Sequence, residues 1–393
     1  MELLEGYSIK GEHSDDSRLV CKLHKSLYGL KQASRQWNAK LTASILQYGF
    51  KQSMSDYSLF TMSTTGGEFV ALLIYVDDIL IASNSAQAAT AVKSHIDSQF
   101  KLKDLGTVKY FLGLEVARSP QGISICQRKY ILDLLEEYGL LGAKPSSTPI
   151  DYNVKLRKVS KEEEVTDPTK YRQLVGKLLY LTFTRPDICY VVQNLAQFMD
   201  KPTVEHHMAA QRVLKYLKGA PGQGILMKRD SNLKISAYCD SDWTGCPDTR
   251  KSVTGYCVFI GESLVAWKSK KQQIVARSST EAEYRSMAAT CCEVIWIKGL
   301  LADFGIQHYD TVKLYCDNQS SVYISKNPVL HERTKHIEID CHFNREKVQS
   351  GEIEPVYIPT QLQVADAFTK PLQHGTFKRL LYKMNIHNVH CSS

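Results

Sequence analysis

The sequence lacks the patterns that mark secreted or disulfide-stabilised proteins. None of its 11 cysteines forms a Cys-x-x-Cys pair, and an odd number scattered along 393 residues indicates reduced, buried thiols. The first ten residues carry charged side chains and no long apolar run, so no secretory signal is visible. We therefore predict an intracellular protein, cytoplasmic or nuclear.

Long hydrophobic runs are also missing. The most apolar stretch, residues 69–82, is too short to cross a bilayer and carries Asp77 and Asp78 in its middle, so we expect no membrane segment. Hydrophobic residues make up 43% and charged residues 23% of the chain, a composition typical of folded proteins, and the length indicates two or three domains. A net charge of +8 is compatible with a polyanionic partner such as nucleic acid.

Changes in apolar period and composition predict three segments. Residues 1–142 combine helices with a β-meander. Residues 143–229 begin as a polar linker and continue as helices, up to a glycine-rich break at 219–224. Residues 230–393 show three strands and then alternating helices and strands, which predicts a mixed sheet with helices packed on it. The expected fold class is therefore α+β or α/β.

Two adjacent acidic residues, Asp77 and Asp78, lie between strongly apolar runs at a predicted hairpin tip. Adjacent carboxylates repel each other, and a divalent cation at the tip could neutralise both. A solvated turn is the alternative interpretation, because Asp is a common turn residue. The apolar strands on both sides favour the metal-binding interpretation.

Four acidic positions fall at the ends of predicted elements in the C-terminal segment. Asp240 follows the first strand, Glu281 or Glu283 begins the long helix, Asp317 follows the fourth strand, and Asp366 begins the last helix. Carboxylates at strand ends and helix starts meet at one sheet edge, where hard cations find oxygen ligands. Helix capping explains any one of them equally well, but all four in this order favour a metal site.

Helical spacing favours Glu283 over Glu281 as the glutamate of this site. A site carboxylate has to lie on the helix face that packs against the sheet. Steps of four, eight, eleven and eighteen residues from Glu283 reach an apolar stripe: Met287, Cys291, Val294 and Leu301. The corresponding stripe from Glu281 is weaker, and Glu281 stays the alternative.

Several long strings resemble one known family. LYGLKQASRQW at 27–37, YVDD at 75–78, KDLG at 103–106 and YFLGLE at 110–115 resemble the reverse transcriptase of copia-type LTR retrotransposon Pol polyproteins. The strings around the four acidic positions resemble the RNase H domain of the same family. The resemblance implies a partial reverse-transcriptase palm and thumb in 1–142, a helical connection in 143–229 and an RNase H-like domain in 230–393.

For the C-terminal segment the resemblance implies a catalytic metal site of four carboxylates. Asp240, Glu283, Asp317 and Asp366 would hold two Mg²⁺ ions and cleave the RNA strand of an RNA–DNA hybrid. Asp242 lies beside this site as a supporting candidate. A non-catalytic nucleic-acid-binding relic and a host-domesticated interaction protein are the alternative functions.

For the N-terminal segment the resemblance implies a polymerase metal site at Asp77 and Asp78. In this family a third catalytic aspartate precedes a segment that residues 1–7 resemble, so that aspartate would lie before residue 1. Two-metal chemistry needs carboxylates on both sides of the ions. We therefore expect that this chain alone does not polymerise DNA, and upstream Pol segments are expected partners.

Basic residues near the predicted RNase H-like site are candidates for contacts with the phosphates of a hybrid. They are Lys268, Lys270, Lys271, Arg277, Arg333 and Lys335. A solvated surface is the alternative for each of them. The nearby His331, His336, Cys341 and His342 do not have the spacing typical of zinc ligands. The oligomeric state is not predicted by any pattern.

Overall fold

The structure is a computed structural model that describes residues 24, 27, 29–158, 166–327 and 338–388. The chain forms two compact units that divide between Leu105 and Gly106. The division into three segments at residues 142 and 229 stays a prediction. None of the described helices is long and apolar enough to cross a membrane.

The described residues of the first unit form an antiparallel sheet with two helices. Its strands pair in the order β1 (Lys51–Gln52), β2 (Leu59–Ser63), β3 (Phe69–Tyr75) and β4 (Asp78–Ser83), which confirms the predicted meander. The helices and the central strand supply its apolar core, including Leu41, Leu72 and Ile96. Its helices are α1 (Ala33–Tyr48) and α2 (Ala86–Gln99).

The described residues of the second unit form two sheets and a group of helices. Its elements are β5 (Tyr110–Phe111), β6 (Leu114–Ser119), β7 (Gly122–Cys126), α3 (Arg128–Glu137), α4 (Pro168–Leu181), α5 (Cys189–Leu195), α6 (Val204–Gly219), β8 (Gln223–Lys228), β9 (Ile235–Asp242), β10 (Val253–Ile260), β11 (Ser263–Lys271), α7 (Ser279–Asp303), β12 (Val312–Cys316), α8 (Gln319–Lys326), α9 (Glu338–Gln349), β13 (Ile353–Tyr357), α10 (His374–Lys383) and β14 (Ile386–Asn388).

A mixed sheet of five strands forms the centre of the C-terminal part of this unit. Its order is β11-β10-β9-β12-β13. The first three strands are antiparallel, and β12 pairs in parallel with both β9 and β13. The stripe on α7 that was predicted from Glu283 is buried in the core of this sheet, with Met287, Cys291, Val294 and Leu301. The predicted mixed sheet with packed helices is therefore confirmed.

The sequence patterns do not predict the second five-stranded sheet, whose order is β14-β8-β7-β6-β5. Strand β8 begins inside the glycine-rich run that was expected to break the chain. A Cβ at Gly224 would lie 2.2 Å from the carbonyl oxygen of Ile125 on β7, so glycine permits the close approach of the two strands. Helix α6 ends at Gly219, so the run ends the helical stretch as predicted, and its last two residues already belong to β8.

Helices α3 to α6 share a core with the polar stretch that precedes α4. Ile150 and Leu156, within the predicted linker, are buried in this core, so this part of the linker packs on the helices. Arg185 and Asp187 form a fully buried ion pair at 2.7 Å. The hydroxyl of Tyr216 donates to the same carboxylate at 2.6 Å, which satisfies the buried charge further.

Candidate metal centre

Two parallel neighbouring strands bring Asp240 and Asp317 to the same end of the mixed sheet. Tyr238 on β9 lies opposite Tyr315 on β12, and each aspartate follows two residues later. Because the strands are parallel and side chains alternate with a period of two, the same step carries both carboxylates to the same edge. Asp240 is 2% exposed, and the hydroxyl of Thr360 donates to Asp317 Oδ2 at 2.8 Å.

The N-terminal part of α7 brings Glu283 to this edge. The backbone N–H of Ser241 donates to Glu283 Oε1 at 3.0 Å, and the Cys316 thiol lies 3.8 Å from its Oε2. Glu281 instead forms an ion pair with Arg285 at 2.9 Å. The structure therefore gathers Glu283 with the aspartates, whereas Glu281 belongs to a separate interaction on the helix.

Asp366 lies in a 3-10 helix, Val364–Phe368, and not at the start of the last α-helix as expected. Pro371 has no backbone N–H and its ring clashes with an α-helical preceding turn, so the helix cannot continue into α10. The prediction for this element was therefore wrong, although the carboxylate still reaches the sheet edge.

Tight packing holds this 3-10 helix against the sheet. Gly255 on β10 lies opposite Asp240, and a Cβ there would lie 2.5 Å from Thr369 Cγ2 and 2.9 Å from Phe368 Cβ. The buried Gln363 amide also donates to the Cys239 carbonyl on β9 at 2.8 Å. The absence of a side chain at Gly255 therefore lets Asp366 approach β9.

The four acidic side chains form one buried or half-buried cluster. Carboxylate oxygens of Asp240, Asp317 and Asp366 all lie within 4.8 Å of one another, and an oxygen of Glu283 lies within the same distance of an oxygen of Asp317. Burial and the charge of Asp240 raise the pKa of Asp366 to about 7. The same causes raise the pKa of Glu283 and the pKa of Asp317.

These raised pKa values have a direct chemical meaning. Carboxylates that are removed from water and that repel one another hold their protons. A divalent cation would remove the repulsion, and hard carboxylate oxygens are the ligands that Mg²⁺ prefers. The cluster therefore fits a site for magnesium or a similar divalent ion.

Two residues that contact this cluster, Lys370 and Thr369, were not singled out by the sequence patterns. Lys370 Nζ lies 2.9 Å from Asp366 Oδ1 and 3.6 Å from Asp240 Oδ2, and the hydroxyl of Thr369 donates to Asp240 Oδ2. Burial alone would lower the pKa of Lys370, but the carboxylates outweigh burial and raise it. The spacing of four residues between Asp366 and Lys370 is the one signal that could have suggested this pair.

Asp242 and Trp243 lie beside the cluster. The backbone N–H of Val253 donates to Asp242 Oδ1, and burial raises the pKa of Asp242 to about 8. The Trp243 indole donates to the Ala276 carbonyl at 3.1 Å. Both side chains therefore brace the loop that joins β9 to β10.

The basic candidates lie in different surroundings. Lys268 and Lys270 are exposed and lie two residues apart on the same face of β11. Arg277 is exposed in the segment before α7. Lys271 is turned inward, with its Nζ 2.8 Å from Gln197 Oε1 and 2.9 Å from Cys246 Sγ. The remaining candidates lie outside the described residues, as do two of the three clustered histidines: Arg333, Lys335, His331 and His336.

In the first unit, Asp77 and Asp78 lie exposed at the tip between β3 and β4. Val76 in this turn has φ 52°, a strained value for a β-branched residue, and its carbonyl accepts from Trp37 Nε1 at 3.0 Å. Within residues 24, 27 and 29–105, no third acidic side chain joins Asp77 and Asp78 in a metal-type cluster. The tip is thus a defined turn that presents two carboxylates to solvent.

Comparison with known proteins gives the family. A reverse transcriptase (RNA-dependent DNA polymerase) family model matches residues 6–152. The chain is 46% identical over 375 residues to the retrovirus-related Pol polyprotein from transposon RE1 of Arabidopsis thaliana, covering 95% of this chain and 25% of that protein. It is 33% identical over 278 residues to a putative transposon Ty5-1 protein of Saccharomyces cerevisiae, covering 70% of this chain and 90% of that protein.

The chain belongs to the copia-type retrotransposon Pol family. It spans about a quarter of the length of the RE1 polyprotein. Among solved structures, this chain is similar to an RNase H1, LC11, in complex with an RNA/DNA hybrid. The two chains are 18% identical, the match covers 35% of this chain and 94% of that chain, and the TM-score is 0.27.

Proposed function

We propose that the second unit cleaves the RNA strand of RNA–DNA hybrids endonucleolytically and depends on Mg²⁺. The observation that supports this most is the gathering of Asp240, Asp317 and Asp366 within 4.8 Å, with Glu283 beside them. Hydrolysis of a phosphodiester by two ions needs carboxylates on both sides of the ions. Membership of a Pol family makes nucleic acid the expected substrate class.

Each carboxylate has a defined part in this proposal. Asp240, Glu283, Asp317 and Asp366 would hold two Mg²⁺ ions, which supply Lewis acidity for an attacking water and for the departing 3′ oxygen. Ser241 and Thr360 hold two of the carboxylates in place through their hydrogen bonds. Contacts to the 2′-hydroxyl would distinguish RNA from DNA.

The exposed basic residues are the proposed contacts for the hybrid. Lys268 and Lys270 present two charges along one strand face, and Arg277 lies at the entry to α7. Phosphate contacts of this kind weaken with salt. Lys271 is a weaker candidate than Lys268, because its ammonium is already bound within the protein.

Gel-resolved cleavage of a labelled RNA–DNA hybrid by the purified chain tests the proposal. We expect cleavage with Mg²⁺, none with EDTA, and a loss of at least about 100-fold in D317N, because one proposed ligand of the metal centre is weakened. D310N makes the same change at an exposed position and should leave cleavage unchanged.

Hybrid affinity separates the alternative functions. The proposal would be refuted if the folded wild-type chain bound the hybrid as tightly as D317N does and cleaved nothing with Mg²⁺. That result would favour a nucleic-acid-binding relic. A host-domesticated interaction protein would be favoured if the wild-type chain neither bound nor cleaved the hybrid. In that case the wild type and D317N should bind a protein partner equally well.

A further inference from the structure

Lys370 brings a positive charge into the acidic cluster. Its Nζ lies 2.9 Å from Asp366 Oδ1 and 3.6 Å from Asp240 Oδ2. Oxygens of these two aspartates and of Asp317 lie within 4.8 Å of one another. The ammonium therefore lies between the two carboxylates, in the space that an ion bound by both of them requires.

A lysine ammonium and a divalent ion cannot share this space. Mg²⁺ binds carboxylate oxygens at about 2.1 Å, and two cations held by the same oxygen repel each other strongly in partly buried surroundings. An ion that takes both Asp240 and Asp366 as ligands must therefore displace the ammonium of Lys370.

The side chain of Lys370 has room to move. It is 37% exposed, and it lines a cavity of about 190 Å³ together with Tyr190, Gln193 and Asp242. Rotation of the side chain toward this cavity would free both carboxylates while the 3-10 helix stays in place. Displacement of the ammonium is therefore sterically possible, and it breaks the two ion pairs that Lys370 forms with Asp240 and Asp366.

We propose that the ammonium of Lys370 occupies the position of one of the two divalent ions of this centre and competes with that ion for Asp240 and Asp366. The inference rests on the proposed function, because it assumes that the carboxylates bind divalent ions. One ion is held on the side of Glu283 and Asp317, where Lys370 makes no ion pair. The second ion, between Asp240 and Asp366, binds at higher metal concentration because it must displace Lys370.

Mn²⁺ binding to the full chain, with the free ion counted by electron paramagnetic resonance, tests this inference. K370Q removes the charge, K370R keeps it, and K313Q makes the same change in net charge at an exposed residue of β12. We expect K370Q to bind the second ion about tenfold more tightly than the wild type, since a unit charge a few ångströms away is removed. K370R and K313Q should resemble the wild type.

A second test of this inference uses the wild-type protein, so it does not depend on whether a variant folds. The ¹³C signal of Lys370 Cε should shift during a Mg²⁺ titration in step with binding of the second ion. A signal that stays unchanged at saturation would refute displacement.

Failure of this inference and failure of the proposed function give different results. Equal affinity of K370Q and wild type for the second ion, with first-ion binding still lost in D317N, would refute the role of Lys370 and leave the metal centre intact. If neither the wild type nor K370Q bound Mn²⁺ more tightly than D317N, the metal centre itself would be refuted, and the competition with it.

Discussion

The close approach of the 3-10 helix to β10 predicts a specific effect of G255A. The added methyl would lie 2.5 Å from Thr369 Cγ2 and 2.9 Å from Phe368 Cβ, well inside normal contact, so the segment that carries Asp366 must shift. Overpacking of this kind costs about 1–3 kcal/mol, or a melting temperature lower by roughly 5 °C. A displacement of the carboxylate by about 1 Å would reduce hybrid cleavage by about 100-fold.

Thermal melting and hybrid cleavage measured on the same samples test this prediction. G176A is the matched control, because a Cβ at Gly176 within α4 meets nothing within 4 Å and alanine favours a helix. The double variant G255A/T369S removes the nearest methyl and keeps the hydroxyl that donates to Asp240. It should recover part of both losses.

Two results would refute this reasoning. Wild-type cleavage and melting in G255A would mean that the segment with Asp366 does not depend on the contact with Gly255. Equal losses in G255A and in G255A/T369S would mean that the methyl of Thr369 is not the obstacle.

Three further predictions concern charge. The metal-free protein should lose stability as pH rises from about 4 to about 7. The reason is that folding raises the pKa of Asp366 from 3.8 to about 7, so the folded state binds one more proton than the unfolded state in that range. Melting temperatures measured in EDTA across this range check the prediction, and D366N should make the pH dependence weaker. D187N should destabilise by about 3–5 kcal/mol in urea, because it leaves Arg185 buried and unpaired, and a loss below about 1 kcal/mol would contradict this. Primer extension on an RNA template should give no labelled product, since Asp77 and Asp78 lack a third acidic neighbour in the described part of the first unit, and any incorporation would contradict it.

Local patterns anticipated much of the fold and the members of the acidic cluster. The meander around Asp77 and Asp78, the three antiparallel strands and the buried stripe from Met287 to Leu301 follow from apolar periodicity. Periodicity reports burial along one element, so it also favoured Glu283 over Glu281. It does not report which strands pair, and the sheet that joins β8 and β14 to β5, β6 and β7 was missed for that reason.

The sequence by itself determined that Asp240 and Asp317 lie near the ends of two strands and that Glu283 lies near the start of a helix, because those positions depend on local period and spacing. Only the tertiary structure decided how Asp366 reaches the cluster, since the close approach at Gly255 and the bond from Thr369 to Asp240 join segments far apart in the chain. The same holds for Lys271, whose inward contacts with Gln197 depend on how helices pack on β11. Side-chain environment is a property of packing between distant elements, and local propensity does not encode it.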